Sequence, residues 1–375
     1  MIAKARFRNA ALLAIAVFVS PLARVPGVLH PSAAAVLGTP VLTAAETLPA
    51  RLSDRDFWKL VWDFSELNGN FRSDNLLSNE IWFQHGLRPL ARLTRLGGAY
   101  MGVGPEQNFT YVAALKPAIS FIVDVRRGNL DLQLMYKALF EISNDRADFV
   151  SRLFSRKRPG GLGPRATPVQ IFQAYSGVNP TDDLYVRTLS DIRNQLITEH
   201  RFAVSNEDLN GIEFVMRAFY TLGPQIRYSP VGTVGGTIQP TYAELMAATD
   251  EVGVARGFLA DDTTFAAVKD VERRNLIVPV VGNFSGPKAI RAIGRYLKDK
   301  SLTVSAFYVS NVEEYLIQDG IWNTFCANVA TLPIDRTSTF IRSIRADGPS
   351  GVGTAFTSQL RPIVDEIKPC TSSRP

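Results

Sequence analysis

Short apolar runs alternate with amphipathic stretches along much of the chain, and the two patterns predict different elements. The apolar runs are rich in β-branched and aromatic residues and short enough to be buried strands. They lie at residues 97–103, 118–125, 275–281, 302–309 and 338–344. Apolar residues recur at helical spacing between them, at 109–115, 129–142, 288–300 and 321–330. Strands separated by helices of this length pair in parallel, so the pattern predicts an α/β fold with a doubly wound, mainly parallel, Rossmann-like sheet.

The same patterns divide the chain into five segments. The division predicts a leader at 1–45, N-terminal helices at 46–96, a first βαβ half with a glycine loop at 97–150, an insertion at 151–270 and the second half of the sheet at 271–375. In the N-terminal segment, one helix is predicted after the cap Ser53 and another from Ser78-Asn79-Glu80 onward.

The insertion breaks the alternation of strands and helices. It contains predicted helices near 188–200 and 206–222, and its glycine-rich run at 232–237 predicts a hairpin or a loop. A basic stretch at 156–165 has no core-forming pattern and is expected at the surface. We therefore expect a helical insertion that folds against the sheet.

The first 45 residues have the pattern of an export signal. Residues 1–9 are basic, and residues 10–19 form an apolar run that ends before Ser20-Pro21. This run is shorter than the apolar stretch that a helix needs to span a membrane. We predict export, to the periplasm or the exterior, once the leader is cleaved. The alternative is an uncleaved segment that anchors the N-terminus to a membrane.

Composition narrows the classes of function. Of the 375 residues, 46% are apolar and 20% are charged, which excludes a disordered chain and a polytopic membrane protein. The net charge is +6, but four of the bases lie in the first 45 residues, which hold no acid. The remainder is nearly neutral, so no nucleic-acid partner is predicted. The expected partner is a small molecule, with membrane contact only through an uncleaved N-terminus.

The two cysteines, Cys326 and Cys370, allow at most one disulfide. Cys326 lies in an apolar helical pattern, which favours a small buried residue over a bridge. A zinc site with four cysteines is excluded, and the three histidines of the chain make a histidine-rich metal site an unfavoured hypothesis.

Candidate chemistry follows the ends of the predicted strands. Ligands of such sheets bind outside the carboxyl ends of the strands. The residues at those ends are Gly102–Asn108, Asp124, Gly282–Ser285 and Ser310–Glu314. A glycine turn lets backbone N–H groups approach a ligand, and an acid after the second strand can accept both hydroxyls of a ribose. Gln107 replaces the third glycine of the dinucleotide fingerprint, so a tight turn with a structural Asp124 is the alternative.

Two of these runs resemble a known group of proteins. Gly102-Val103-Gly104-Pro105-Glu106-Gln107-Asn108-Phe109-Thr110 and Phe121-Ile122-Val123-Asp124-Val125-Arg126-Arg127 are similar to a bacterial family, represented by a Leptospira protein, with a class I S-adenosylmethionine-dependent methyltransferase-like fold. The runs at 71–80, 280–288 and 307–313 look like the same family. The resemblance implies that fold and S-adenosylmethionine as the cofactor.

The resemblance also implies roles for particular residues. Gly102 and Gly104, with Glu106 and Asn108 in the same turn, would lie against the methionine part of the cofactor, Asp124 would hold the ribose, and Gly282-Asn283 would lie beside the adenine. Ser310-Asn311 and Glu313 would face the methyl group and the substrate, and Asn79 and Glu80 would close the site. Glu313 and Glu80 are the candidate catalytic acids. The sequence departs from the methyltransferase pattern at Tyr100-Met101, Glu106 and Asn283.

Three functions compete on this basis. The first is methyl transfer from S-adenosylmethionine to a small acceptor. The second is an exported, non-catalytic ligand-binding protein that keeps the fold, which the leader favours because S-adenosylmethionine is used in the cytoplasm. A nicotinamide-dependent oxidoreductase would need the longer glycine fingerprint. Ser285-Gly286-Pro287-Lys288 matches a Ser-x-x-Lys nucleophile motif, but we interpret Ser285 as a helix cap.

Overall fold

Six strands form one mixed sheet in the computed structural model, which describes residues 47–228, 233–234, 237–345 and 356–371. Two further short strands pair with each other in a hairpin. In chain order the strands are β1 (Ala99–Gly102), β2 (Ile119–Asp124), β3 (Thr233–Val234), β4 (Thr237–Ile238), β5 (Ile277–Val281), β6 (Val304–Ser310), β7 (Thr339–Arg345) and β8 (Phe356–Pro362). The hairpin β3–β4 lies where the glycine-rich run predicts one.

The order of the strands confirms the predicted fold class. The sheet runs β5-β2-β1-β6-β7-β8, and all neighbours pair in parallel except β7 and β8. In chain order, β2 and then β5 are added on one side of β1, and β6, β7 and β8 are then added on the other side. The point where this order reverses, between β1 and β6, is where such sheets bind ligands.

Helices cover the sheet and make up the insertion. They are α1 (Asp54–Phe64), α2 (Leu87–Leu93), α3 (Gln107–Leu115), α4 (Arg127–Ile142), α5 (Arg146–Leu153), α6 (Pro168–Ser176), α7 (Asp182–Asn194), α8 (Asn206–Leu222), α9 (Tyr242–Ala247), α10 (Asp262–Arg273), α11 (Ala289–Asp299), α12 (Val312–Gln318), α13 (Trp322–Val329), α14 (Ile363–Glu366) and α15 (Lys368–Thr371). Short 3₁₀ turns lie at Phe83–Gly86 and Gly223–Gln225, and a π-helical turn at Gln195–Glu199.

One predicted boundary is wrong, and one strand was not predicted. The second N-terminal helix does not begin at Ser78-Asn79-Glu80; helical turns start only at Phe83, because Ser78 and Glu80 are bonded to the ends of the sheet. The sequence also gave no signal for β8. This edge strand is half-exposed and largely polar, and its backbone bonds to β7 define it.

The insertion shares the core of the sheet domain. A cluster of aromatic rings joins Phe109 and Phe140, beside the sheet, to Phe149, Phe258 and Phe265, with ring centroids 4.9–6.1 Å apart. Each such pair contributes about 0.5–1.5 kcal/mol beyond the area it buries. The insertion therefore packs on α3 and α4, and α8 lies directly on α4.

A buried polar chain fixes the start of α1. His200 Nδ1 lies 2.8 Å from Asp54 Oδ1 and its Nε2 lies 2.6 Å from Glu141 Oε2, and Lys137 Nζ donates to Glu141 Oε1 at 2.8 Å. Burial alone would raise the pKa of Glu141, but the hydrogen bond from His200 and the charge of Lys137 hold it below its usual value. These contacts tie α1 to α4 and to the π-helical turn.

The prediction for Cys326 is wrong. Cys326 and Cys370 form a disulfide, with Cα atoms 6.0 Å apart, that joins α13 to α15. The apolar helical pattern around Cys326 correctly predicts burial. A buried cysteine can also form a disulfide here, because α15 packs on α13.

The predicted leader, residues 1–45, lies outside the described residues. In the described part of the chain, no helix combines the length and apolar character that a membrane span needs.

Replacing Cys326 by serine tests the disulfide. The bridge joins residues 44 apart in sequence, so it restricts the unfolded chain, and its loss should lower the free energy of unfolding by about 2–4 kcal/mol. Thermal unfolding with and without a reductant measures this. The reductant should bring the wild-type melting temperature down to that of the variant and leave the variant unchanged. Equal melting temperatures for the oxidised wild type and the variant would contradict the bridge.

Candidate functional site

One segment of the chain crosses the carboxyl edge of the sheet. We call residues 65–80, which follow α1, the crossing segment. It bonds in turn to the ends of β5, β2, β1 and β6, which is the order in which these strands lie in the sheet. The segment therefore supplies hydrogen-bond partners to polar groups at four strand ends, and it forms one wall of the space above them.

At the end of β5 the crossing segment supplies an anion to a helix N-terminus. The Glu66 carboxylate accepts from the backbone N–H groups of Asn283 at 3.1 Å and of Lys288 and Ala289 at 2.8 Å. A negative charge is stabilised there by the helix dipole and by N–H groups that lack partners within the helix. The predicted cap is therefore wrong: Ser285 Oγ donates to the carbonyl of Ile321 at 3.1 Å, and Glu66 caps α11 instead.

At the end of β2, Arg126 donates hydrogen bonds to both carboxylate oxygens of Asp124, the acid predicted to bind a ribose. Arg126 donates from Nε to Asp124 Oδ1 at 3.1 Å and from Nη2 to Oδ2 at 2.9 Å, and its backbone N–H donates to Oδ1 at 2.9 Å. Arg126 Nη1 bonds to the carbonyl of Asp74 in the crossing segment. Nearby, Gly69 lies so close to Val125 that a side chain would clash. Asp124 is thus a buried partner in a bidentate ion pair.

At the end of β1 a buried side chain holds the glycine turn in place. Gly104 has φ +77°, and the space beside its Cα is open. Asn108 Nδ2 donates to the carbonyls of Val103 and Pro105 at 2.9 and 2.8 Å, while Asn108 Oδ1 accepts from Tyr100 at 2.8 Å. Asn108 therefore shapes the turn from inside the protein.

Glu106 belongs to the same buried layer. Its side chain is fully buried and accepts from the backbone N–H of Ser78 at 3.1 Å. Burial raises the pKa of Glu106 to about 7, against the lowering effect of its backbone hydrogen bonds, and the neighbouring charge of Glu80 raises it further. Glu106 is thus a buried carboxyl that links the glycine turn to the crossing segment.

At the end of β6 the polar groups converge on Glu80. Ser310, with φ +51°, donates to Glu80 Oε1. Burial raises the pKa of Glu80, although hydrogen bonds with Ser310, Tyr308 and Ser343 act in the opposite direction. Tyr308 accepts from Gln107 Nε2 at 2.7 Å. A buried carboxyl with a raised pKa at the switch point is a candidate proton donor or acceptor.

These strand ends surround a cavity of about 940 Å³. The volume lies at the upper end of the range for small-molecule sites. Of the residues to which the resemblance assigns a role, eight line it: Asn79, Glu80, Gly104, Asp124, Gly282, Asn283, Ser310 and Asn311. Four others do not line it: Gly102, Glu106, Asn108 and Glu313. The structure thus brings most of the predicted residues together, and their binding of a ligand stays a prediction.

Glu313 is held in a separate cluster. Its carboxylate pairs with the Arg342 guanidinium, with Oε1 2.9 Å from Nη2, and accepts from Trp322 Nε1 at 3.0 Å. Arg342 also pairs with Glu366 at 2.8 Å. The expectation that Glu313 faces the substrate is corrected here, because this pairing joins α12 to β7 and α14 instead.

Several residues of the cavity were missed in the sequence. They are Arg126 and Asn75, the α8 residues Phe214, Ala218 and Leu222, and Tyr228 and Tyr315. The α8 residues gave a signal, since apolar side chains at i, i+4 and i+8 extend the apolar stripe of α8 beyond its buried face. The described residues contain no group of three or more His, Cys, Asp or Glu side chains placed to hold a metal ion.

The fold and the cavity define a Rossmann-like α/β protein with a switch-point crevice. Residues 78–161 and 180–365 match the family described as Domain of unknown function (DUF7790), and the chain belongs to this family. A search of curated proteins finds no match to the chain. The resemblance to methyltransferase-like proteins stays a prediction beside this family assignment.

Replacing Glu106 by glutamine tests the buried carboxyl. The pKa of about 7 in the fold lies above the value of about 4.3 in an unfolded chain. A carboxyl whose pKa is raised on folding stabilises the fold most at low pH, and this contribution is lost as the pH rises through the pKa that the group has in the folded protein. The variant, whose amide oxygen can still accept from Ser78, should therefore gain stability relative to the wild type between about pH 5 and pH 8. Melting temperatures across this range measure it, and a difference that does not change with pH would contradict it.

Replacing Glu313 by alanine tests its structural role. The variant leaves Arg342 without its main partner, so we expect a loss of about 2–4 kcal/mol in the free energy of unfolding. Glu314→Ala, the next position on α12, is the matched control and should change stability by less than about 0.5 kcal/mol. Chemical denaturation measures both variants. Unchanged stability in Glu313→Ala would refute the structural role.

Proposed function

We propose that this protein binds a small molecule in the switch-point cavity and does so after export. The observation that carries the proposal is the convergence of four strand ends on one cavity of about 940 Å³. Polar side chains, glycine turns and apolar walls meet there, which is the composition expected of a small-molecule site. The second function weighed from the sequence, a ligand-binding protein with a methyltransferase-like fold, is the best supported.

The residues present do not fit S-adenosylmethionine in the way the resemblance implies. Gly104 offers close approach to a ligand, and the cavity has sufficient volume. However, both carboxylate oxygens of Asp124 accept hydrogen bonds from Arg126. Each oxygen that would accept from a ribose hydroxyl is therefore already paired with a charged group. The N–H groups at the end of β5 are likewise taken by Glu66. The chain itself thus fills two positions that a nucleoside would use.

The disulfide supports the proposal of export. Disulfides persist in oxidising compartments and are rare in the cytoplasm. Cys326 and Cys370 are the two cysteines of the chain, and they pair with each other. Together with the basic and apolar pattern of residues 1–19, the bridge favours a periplasmic or secreted protein.

Methyl transfer is the second candidate. Gly104 favours it, because this residue lines the cavity with open space beside its Cα, and a glycine turn lets a ligand approach the backbone closely. S-adenosylmethionine would supply a methyl group that is already activated. Glu80, at the cavity with a raised pKa, is the residue of this chain that would take a proton from an acceptor.

Calorimetric titration of the purified protein separates the two functions. S-adenosylmethionine and S-adenosylhomocysteine are each titrated into the wild type and into Ala218→Trp, which fills the cavity from α8. Asn210→Trp, at an exposed position of the same helix outside the cavity, is the matched control. The engaged Asp124 predicts no binding to the wild type. Binding that is lost in Ala218→Trp and kept in Asn210→Trp would establish an S-adenosylmethionine site in the cavity and favour methyl transfer instead.

The same variants test ligand binding of any kind. A library of small metabolites is screened by the shift in melting temperature that bound ligand produces. We expect compounds that stabilise the wild type and Asn210→Trp but not Ala218→Trp. Stabilisation that is equal in all three proteins, or absent from all three, would contradict a ligand site in this cavity.

A further inference from the structure

A serine in a strained conformation ends the strand β6. Ser310 has φ +51°, and of the seven non-glycine residues with positive φ in the described ranges it alone lies in a strand of the sheet. The register of β6 against β7 shifts between Tyr308 and Ser310, and α12 begins soon after, at Val312. Backbone strain costs free energy and is typical of functional sites. In α/β hydrolases, a tight and strained turn from strand to helix presents the nucleophilic serine.

The hydroxyl of this serine is bonded to a buried carboxyl group. Ser310 Oγ donates to Glu80 Oε1, and Glu80 is 6% exposed. Glu80 also forms hydrogen bonds with Tyr308 and Ser343, and Tyr308 in turn accepts from Gln107 at 2.7 Å. Burial raises the pKa of Glu80, so its carboxylate is a stronger proton acceptor than an exposed one. A nucleophile bonded to a base that further groups orient is the arrangement that activates a serine.

The pair lies at the cavity, next to amide groups that have no partner. Ser310 and Glu80 both line the cavity, and so do Asn311 and Asn79, their neighbours in sequence. Asn311 and Asn79 are partly exposed, and their side-chain amides bond to no other residue in the described part of the chain. Amide N–H donors stabilise the negative charge that develops on a carbonyl oxygen during acyl transfer. A nucleophile, a base and N–H donors therefore lie around the end of β6.

We propose that Ser310 and Glu80 form a nucleophile–base pair that hydrolyses a carboxylic ester bound in the switch-point cavity. Ser310 Oγ bonds to the carbonyl carbon while its proton passes to Glu80, and the alcohol leaves with that proton as its C–O bond breaks. Water then attacks the acyl group and gives a proton to Glu80, which returns it to Ser310 Oγ as the acyl bond breaks. The inference rests on the proposed function, because the ester has to enter the same cavity, and it adds a reaction to binding.

Labelling with diisopropyl fluorophosphate tests the nucleophile. An activated serine bonds to the phosphorus of this probe and releases fluoride, so the mass of the protein rises by one adduct. Intact-protein mass spectrometry of the full-length chain measures the rate, and peptide mapping identifies the modified residue. We expect one adduct, on Ser310. A wild-type protein that stays unlabelled, or that is labelled at other residues and not at Ser310, would overturn the inference.

Three variants separate activation from a merely structural bond. Glycine takes a positive φ without strain, so Ser310→Gly should fold, and it should not be labelled. Glu80→Gln keeps a side-chain oxygen for Ser310 but loses the base, so labelling should slow by about a hundredfold or more. Ser358→Ala is the matched control, because Ser358 is a strand residue outside the cavity whose hydroxyl donates to a backbone carbonyl.

Melting temperatures show that each variant is folded. Ser358→Ala should be labelled at the wild-type rate. Equal rates in the wild type and Glu80→Gln would overturn the role of Glu80 as a base, since a hydrogen bond with a structural role alone does not activate the serine.

Hydrolysis of para-nitrophenyl acetate and para-nitrophenyl butyrate tests the class of substrate. Released para-nitrophenolate is followed by its absorbance in the wild type and the same variants. We expect turnover in the wild type and Ser358→Ala, a loss of about a hundredfold or more in Glu80→Gln, and the uncatalysed rate in Ser310→Gly. Labelling of Ser310 without turnover of either ester would overturn the ester as substrate. Turnover that persists in Ser310→Gly would overturn Ser310 as the nucleophile.

The metabolite screen keeps this inference separate from the proposed function. If compounds from the screen stabilise the wild type and not Ala218→Trp, while Ser310 is neither labelled nor needed for turnover, the reaction is wrong and the cavity is still a ligand site. If no compound binds and Ser310 is not labelled, both are wrong. Labelling of Ser310 that is lost in Ala218→Trp and kept in Asn210→Trp supports both.

Discussion

The need to pair the polar groups at the carboxyl edge of the sheet governs this structure. Parallel strands end together, and they leave backbone groups and acids such as Asp124 at one edge. The crossing segment provides partners at four of these ends, through Glu66, Gly69, Ser78 and Glu80. Its order of contacts follows the order of the strands. The cavity is the space that remains once these polar groups are paired.

This pairing also weighs against the proposal of methyl transfer. In the structure, the acid after β2 and the helix N-terminus after β5 are both present, but the chain's own Arg126 and Glu66 occupy them. A buried carboxylate paired in a bidentate way with arginine is costly to separate, since each partner would lose its charge compensation.

The sequence predicts the fold better than it predicts the site. Strands such as β2 and β5 are continuous apolar runs, and burial on both faces makes such runs easy to recognise. β8 gave no such signal, because an edge strand is defined by its backbone pairing. The site depends on contacts between residues far apart in sequence, such as Glu66 with Ala289 and Glu80 with Ser310, and no local pattern encodes them. Arg126 stands two residues after Asp124, yet only the fold shows that the two side chains face each other.

Crystallographic screening of small fragments tests the central claim most directly, since it assumes neither a cofactor nor a reaction. Crystals of the protein are soaked with a library of fragments that carry different polar groups. The account predicts that fragments collect in the cavity between the crossing segment and α8. Fragments that bind elsewhere on the protein and leave this cavity without any bound molecule would contradict it.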